Sequence, residues 1–485
     1  MRWALAAVVL LAFALRLLWL QDQSLSMDEL AELTIAHSPM TDILWAQDGF
    51  PPLYHSILHA WLAIFPGDQS ARWLSALFGT AAVGAVWGLA RAVADERTAL
   101  WAAFLVAVSP FQAWHAQEAR AYILYYLIAA CALWSFFTAL KTDSPAAWAA
   151  YVAICWAGFL THYYFALLVL SNLAILLVEG GGRLRRRAVI AHAGLALLSV
   201  PVAWLLHGDL SAEEAATFAT TFHPAAIGYA LFSFVSGYAL GPSPRELHGL
   251  AAGRAVLAVL PWLLPIGISA GILLYHGLRV LGARLWGSRL LLAGVGPVVL
   301  CAALAGVSSI TFQVRHVLWA SILLMVVLGA GCTEWRSRKP VQLALLTLLL
   351  LFGVSRYHRH DLPRYQNEDL RGLASYLRTA DPSTPVYVLS GYMAQPVRYY
   401  LGDGWSVFPV PDAGPDANAL RTALNYLDSS TTPSAGFWFV YTRGFHGDPW
   451  GRLIDTLPRL RDLQRRKEFA GITLFAGGGG PAPVR

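Results

Sequence analysis

The side chains able to do chemistry fall in five short clusters separated by long apolar runs. They are Asp28-Glu29, then Gln47-Asp48-Gly49-Phe50-Pro51-Pro52-Leu53-Tyr54-His55, then Gln117-Glu118-Ala119-Arg120-Ala121-Tyr122. Thr161-His162-Tyr163-Tyr164 and Gln313-Val314-Arg315-His316 complete the set. An isolated acidic pair beside an apolar run reads as solvated loop charge. Asp28 and Glu29 are not isolated, because the same stretch continues to Asp48 and to two prolines that fix the backbone at a helix start. Arg120, next to Glu118, can form a snorkelling pair at a membrane boundary or grip a phosphate with its planar fork of donors. His162, Tyr163, His316 and Tyr122 are residue types of the membrane interface as well as of binding cavities. No clean set of oxygen or nitrogen ligands demands a metal, although Asp28, Glu29 and Asp48 can hold a divalent cation.

These clusters must be positioned by membrane-spanning helices. Apolar residues make up 57% of the 485 positions and charged residues 13%, roughly half the charge of an ordinary soluble domain. The mean hydropathy is +0.51. The net charge of +6 does not indicate nucleic acid, since the basic residues sit in short loops between apolar runs. The four cysteines, Cys131, Cys155, Cys301 and Cys332, lie in or at the ends of those runs. They form neither a CxxC pair nor a disulfide framework. Apolar runs predict about eleven spans, near 3–20, 70–92, 98–114, 122–140, 146–163, 164–179, 188–206, 254–276, 289–307, 314–332 and 341–355. The first reads as an uncleaved helix.

Orientation follows from the basic residues. With the N-terminus in the cytoplasm, the inner loops hold Arg91 and Arg97, Lys141, Arg183 to Arg187, Arg279 to Arg289, and Arg336 to Lys339, as the positive-inside rule requires. Residues 21–70 carry seven acidic residues and no Lys or Arg, which places them outside. The protein is thus expected to be a multi-pass inner (plasma) membrane protein, with all the polar clusters on the outer face. Its transmembrane domain covers 1–355, and the long outer loops 21–69 and 207–253 contain surface helices around 27–37, 52–65 and 224–240. From 356 to 485 the composition shifts to a small extracytoplasmic α/β domain with a largely parallel sheet. Strands are predicted at Val386–Ser390, Ser406–Val410, Phe437–Thr442 and Ile472–Phe475, and helices at 368–379, 393–401, 417–429 and 450–467.

The order Asp28-Glu29, Asp48-x-x-Pro51-Pro52-Leu53-Tyr54, Gln117-Glu118-Ala119-Arg120-x-Tyr122 and Thr161-His162-Tyr163 resembles the GT-C membrane glycosyltransferases. The similarity is to the bacterial branch related to protein O-mannosyltransferases and the lipid A aminoarabinose transferase, and it spans roughly residues 1–330. The resemblance implies a polyprenyl-phosphate-linked sugar donor, a lipid, glycan or protein acceptor reached from outside, and a hexosyl- or pentosyltransferase. It assigns the catalytic carboxylate to Asp28, with Glu29 beside it. Arg120 is the first candidate for the donor phosphate, with Arg315, Asp48 and His55 also in reach of that role. Glu118, Tyr122, His162, Tyr163 and His316 are expected to line the substrate cavity.

One position departs from the family pattern. Relatives carry His or Lys immediately before the Pro-Pro pair, where this chain has Phe50. A phenyl ring cannot neutralise phosphate, so that charge is either missing or supplied by a residue such as His55 or Arg120. Two other classes stay open from the sequence: a transporter or flippase of lipid-linked sugar, and a catalytically silent scaffold. Against the first, no convincing internal repeat is visible, and most interior stretches are apolar with the polar residues gathered at outer corners, whereas transporters carry repeats and midplane ionisable residues.

Overall fold

The computed structural model describes residues 2–45, 51–179, 182–207, 222–250, 252–282, 286–307, 310–414, 416–431, 436–461 and 463–477. The chain divides into two compact units, one formed by 1–20, 31–238 and 260–356, the other by 21–30, 239–259 and 357–485.

The first unit is helical. Its first eleven helices are α1 (Arg2–Leu17), α2 (Met27–Ala36, which begins in the second unit), α3 (Met40–Leu44), α4 (Pro52–Ile64), α5 (Ala71–Val93), α6 (Glu96–Val108), α7 (Pro110–Ala116), α8 (Ala121–Thr142), α9 (Pro145–Phe159), α10 (Phe165–Glu179) and α11 (Gly182–His207). Helices Ala225–Ser236, Ala252–Gly282 (which begins in the second unit), Trp286–Val307, Ala320–Cys332 and Lys339–Asp361 (which ends in the second unit) follow. Every predicted apolar run is helical, and so are the three predicted surface segments. Among the described residues, four helical segments, 68–93, 121–142, 253–282 and 339–361, are long and apolar enough to cross a membrane. The centre is α5, which packs on α8, α6 and α1, with Ala320–Cys332 against α6.

Two predicted spans are interrupted. The run at 98–114 is broken into α6 and α7 because Ser109 accepts a hydrogen bond from Gln112 N and Pro110 takes the first helical position, a combination that starts a new helix. The run at 314–332 opens with a 3₁₀ turn, Val314–Val317, and becomes α-helical only at Ala320. Both breaks bring polar residues to the ends of helices.

The second unit is a three-layer α/β module. Its five strands, β1 (Val386–Val388), β2 (Val407–Pro409), β3 (Phe437–Thr442), β4 (Gln464–Phe469) and β5 (Ile472–Gly477), are ordered β2-β1-β3-β5-β4. The pairings β2–β1 and β1–β3 are parallel, whereas β3–β5 and β5–β4 are antiparallel. Strand alternation sends Val386, Val388, Trp438 and Val440 to one face, against helices Leu370–Leu377 and Ala394–Leu401. Tyr387, Phe437 and Phe439 face Ala417–Ser430 and Arg452–Arg461 on the other. The expected helix over 450–467 ends at Arg461, and its tail is β4. Gln-Arg-Arg-Lys-Glu-Phe is exposed along most of its length, so it lacks the hydrophobic alternation by which strands are read. Such charge suits an edge strand that must not pair further. The β4–β5 hairpin turns at Gly471, whose φ of +68° favours glycine. These two antiparallel pairings correct the expectation of a largely parallel sheet.

Within the helical unit, glycines set one close helix crossing. A Cβ at Gly277 would strike the carbonyl of Val327, and one at Gly331 would strike that of Leu273. Small residues permit such backbone approach between apolar helices. Gly331→Val is expected to force the pair apart and cost about 1–3 kcal/mol. Thermal unfolding in detergent checks this, with Gly353→Val as control, since a Cβ at Gly353 meets open space.

Candidate functional site

The first turn of α2 is built by a capping box. Ser26 Oγ accepts from Glu29 N at 3.2 Å while Glu29 Oε2 accepts from Ser26 N at 2.9 Å, satisfying two orphan donors reciprocally. Glu29 is fully buried and its carboxylate is engaged in holding the turn. Asp28, half-buried, is the other carboxylate of that turn. Glu32 follows one helical turn later on α2.

Glu32 is the hub of the polar cluster in the helical unit. Its Oε2 accepts from His55 Nε2 at 2.6 Å, and its Oε1 lies 3.6 Å from Arg120 Nε. All three side chains are largely buried. Each comes from a different corner. His55 stands in the first turn of α4, whose start is fixed by Pro51 and Pro52 and by Leu53 N donating to Leu160 O at 2.8 Å. Arg120 occupies the extended residue just before α8. Gln117, in the same motif, donates to the carbonyls of Arg16 and Leu18 at 3.0 and 2.7 Å, tying this corner to the end of α1.

Tyr122 extends the cluster. Its ring lies beneath two guanidinium groups, with Arg120 Cζ 4.8 Å and Arg315 Cζ 5.4 Å from the centroid. Two cations against one aromatic ring keep their charge in a poorly hydrated place at reduced cost. His162 packs against Tyr122 and stacks on Tyr125, with centroids 5.6 and 4.8 Å apart. His316 lies 5.8 Å from the His162 ring and stacks on Tyr164 at 4.0 Å. Tyr163 is the more exposed neighbour, 5.4 Å from His162.

His316 Nδ1 donates to Thr311 O at 3.0 Å, so in a neutral ring its Nε2 is left as an acceptor. Arg120 and Arg315 bring two guanidinium groups to the Tyr122 ring.

Glu118 is 4.0 Å from His115 Nδ1, and His115 Nε2 meets Tyr238 OH at 3.3 Å. The structure thus links Glu32 to His55 and Arg120, and through Arg120 and Tyr122 to Arg315, His162, Tyr163 and His316, with Glu118 joined by way of His115. Asp48 and Phe50 lie outside the described residues. Glu32, His115 and Tyr238 are members that the sequence reading did not single out. For Glu32, the i to i+4 spacing after Asp28 was the available signal. Among the described residues no group of three or more His, Cys, Asp or Glu side chains is arranged to hold a metal ion.

Comparison with known proteins agrees with the ordered motifs. Residues 50–207 match the family described as dolichyl-phosphate-mannose-protein mannosyltransferase, a stretch that runs from Phe50 through Arg120 and His162. ArnT from Cupriavidus metallidurans in the apo state is similar with a TM-score of 0.57 and 12% identity over 97% of each chain. The same protein bound to undecaprenyl phosphate gives 0.55 and 14%, again over 97% of each chain. The oligosaccharyltransferase of Archaeoglobus fulgidus in complex with zinc and sulfate gives 0.54 and 16%, over 90% of this chain and 67% of that one. No curated protein matches in sequence. At these identities the structural likeness is one of fold, and it extends over nearly the whole chain.

The hub makes a stability prediction that is independent of activity. Glu32→Gln leaves Arg120 buried without its carboxylate and is expected to cost about 1–3 kcal/mol. Tyr122→Phe keeps the ring beneath both guanidinium groups and is expected to cost less than about 0.5 kcal/mol. Thermal unfolding of the two variants in detergent checks the order, and equal losses would contradict it.

Proposed function

We propose that this chain, a relative of the GT-C membrane glycosyltransferases, transfers a hexosyl or pentosyl group from a polyprenyl-phosphate donor to an acceptor on the extracytoplasmic side. The observation that carries the reading is the assembly of Glu32, Arg120, Tyr122 and Arg315, in which Arg120 and Tyr122 belong to one of the ordered motifs. Undecaprenyl phosphate bound to the similar ArnT supports the donor class. The orientation read from the basic loops puts the N-terminus in the cytoplasm of an inner (plasma) membrane protein with about eleven spans, and the α/β domain outside.

In this mechanism Asp28 accepts the proton of the acceptor hydroxyl as that oxygen attacks the anomeric carbon. The bond from the anomeric carbon to the phosphate oxygen breaks with inversion, and its electron pair leaves on the polyprenyl phosphate. Phosphate is a weak base, so no strong general acid is needed. Arg120 and Arg315 take the charge that grows on the leaving group, in a setting where little water competes with them. His162 and His316 supply hydrogen-bonding groups to the sugar. His55, bonded to Glu32, acts by holding that carboxylate against Arg120. Phe50 replaces a charged residue of the family pattern, and the guanidinium pair supplies the positive charge it lacks.

Asp28→Asn is expected to lower turnover by a factor on the order of a thousand in protein that inserts and folds normally. Glu29→Gln keeps most of the activity, because an amide oxygen still accepts from Ser26 N. Arg120→Ala or Arg315→Ala is expected to lower kcat on the order of a hundredfold. Steady-state transfer from radiolabelled polyprenyl-phosphate sugars measures all four variants, and wild-type turnover by Asp28→Asn would remove it as the base. The divalent ion that the outer carboxylates can hold is tested in the same assay by chelation. Unchanged turnover would dismiss it.

A further inference from the structure

Residues 21–30, which precede and include Asp28, belong to the α/β unit and are bound to it along their length. Gln23 Nε2 donates to Arg359 O at 3.0 Å and its Oε1 accepts from Asn367 N at 3.0 Å. Ser24 O accepts from Asn367 Nδ2 at 3.1 Å, and Ser24 Oγ accepts from Arg371 N at 3.0 Å. Leu25 N donates to Tyr400 OH at 2.7 Å. Met27 packs against the first core of the sheet. By the time the chain reaches Asp28, its backbone has been fixed from outside the helical unit.

The sheet topology explains what meets that turn. The crossover from β1 to β2 runs through Ala394–Leu401 on one face, and the crossover from β2 to β3 runs through Ala417–Ser430 on the other. The switch point of such a sheet lies between β1 and β3, beyond their carboxyl ends, where open α/β sheets present their functional groups. Ser390 follows β1 and Arg443 follows β3. Both have positive φ, +57° and +46°, a cost that a non-glycine residue bears only where its surroundings enforce it. Ser390 Oγ bonds to the carbonyls of Thr442 and Arg443 at 3.3 and 3.2 Å. The Arg443 guanidinium grips Glu368 through Nε and Nη2 at 3.0 and 3.4 Å. Its remaining nitrogen, Nη1, is 4.0 Å from Met27 Sδ.

We propose that the α/β unit is the positioning device for the Asp28 carboxylate, with the Arg443–Glu368 ion pair at the carboxyl end of β3 fixing the turn that carries it. This rests on the reading of Asp28 as the base. Glu368 takes two of the guanidinium's faces, so the rigid fork points its third toward the Met27–Asp28 turn and holds it there. Electrostatics agrees with the geometry. Burial works to lower Arg443, yet Glu368, Tyr392 and Asp28 more than reverse this and leave it raised. Arg443 is thus a positioning residue, and so is Tyr400 through its bond to Leu25 N.

The test uses full-length protein in nanodiscs, with two measurements on Arg443→Gln, Arg443→Lys and Tyr400→Phe. Amide hydrogen exchange over 22–30 is expected to rise in Arg443→Gln and Tyr400→Phe while α5 and α8 exchange as in the wild type. Turnover of Arg443→Gln is expected to fall about 10- to 100-fold, the loss typical of a misplaced catalytic group. Donor KM stays within about twofold, because the donor-binding groups are untouched. Arg443→Lys recovers a substantial part of kcat. Folded Arg443→Gln protein with wild-type kcat would overturn the proposal even if Asp28 is the base. If the wild type transfers from no donor, the functional reading fails separately and exchange alone decides. A rise over 22–30 then upholds the tether, and unchanged exchange overturns it.

Discussion

A carboxylate buried at the edge of an apolar helix bundle survives as an anion only where donors and positive charge reach it. Glu32 meets that condition by holding His55 and Arg120 at once. Much of the remaining polar architecture depends on this arrangement. Satisfying Glu32 draws the start of α4 and the turn before α8 toward α2. Arg120 then lies over Tyr122, which gives Arg315 a surface to share. His162 packs beside this ring and against His316. One ionic requirement thus organises five corners of the chain.

The same economy of polar contacts governs the α/β unit. Its sheet is doubly wound where β2, β1 and β3 run parallel, and it is closed by an antiparallel hairpin whose outer strand is heavily charged. That construction leaves the carboxyl ends of β1 and β3 as the place where polar groups gather. Arg443 and Glu368 pair there, beside the segment that leads into α2. The segment bearing Asp28 thus belongs to the same unit as this ion pair.

Much of this was legible in the sequence, for a definable reason. Long apolar runs can only be buried helices or spans, so the helices appeared with nearly correct limits. Ser109-Pro110 is a helix-start signal lying inside an apolar run, and hydropathy alone passed over it. β4 was missed because its charges face solvent on both sides. The corner motifs were visible as residue types, and their order carried the family resemblance. Their convergence was not visible, because it depends on contacts between distant positions. Glu32 and His55 are 23 positions apart, and neither forms a recognisable motif with the other. Glu29 shows the opposite case. Ser26-x-x-Glu29 is a capping box that can be read from the sequence, and it separates the structural carboxylate of the pair from Asp28.

The most direct measurement follows the fate of the donor's glycosidic bond. Purified protein in nanodiscs would be given polyprenyl-phosphate sugars with candidate acceptors, and the lipid and sugar products quantified by mass spectrometry. A glycosyltransferase releases free polyprenyl phosphate in equal amount to a new glycoside of inverted configuration. Recovery of every donor intact, together with its movement across the bilayer of reconstituted vesicles, would contradict the account and identify a transporter of lipid-linked sugar.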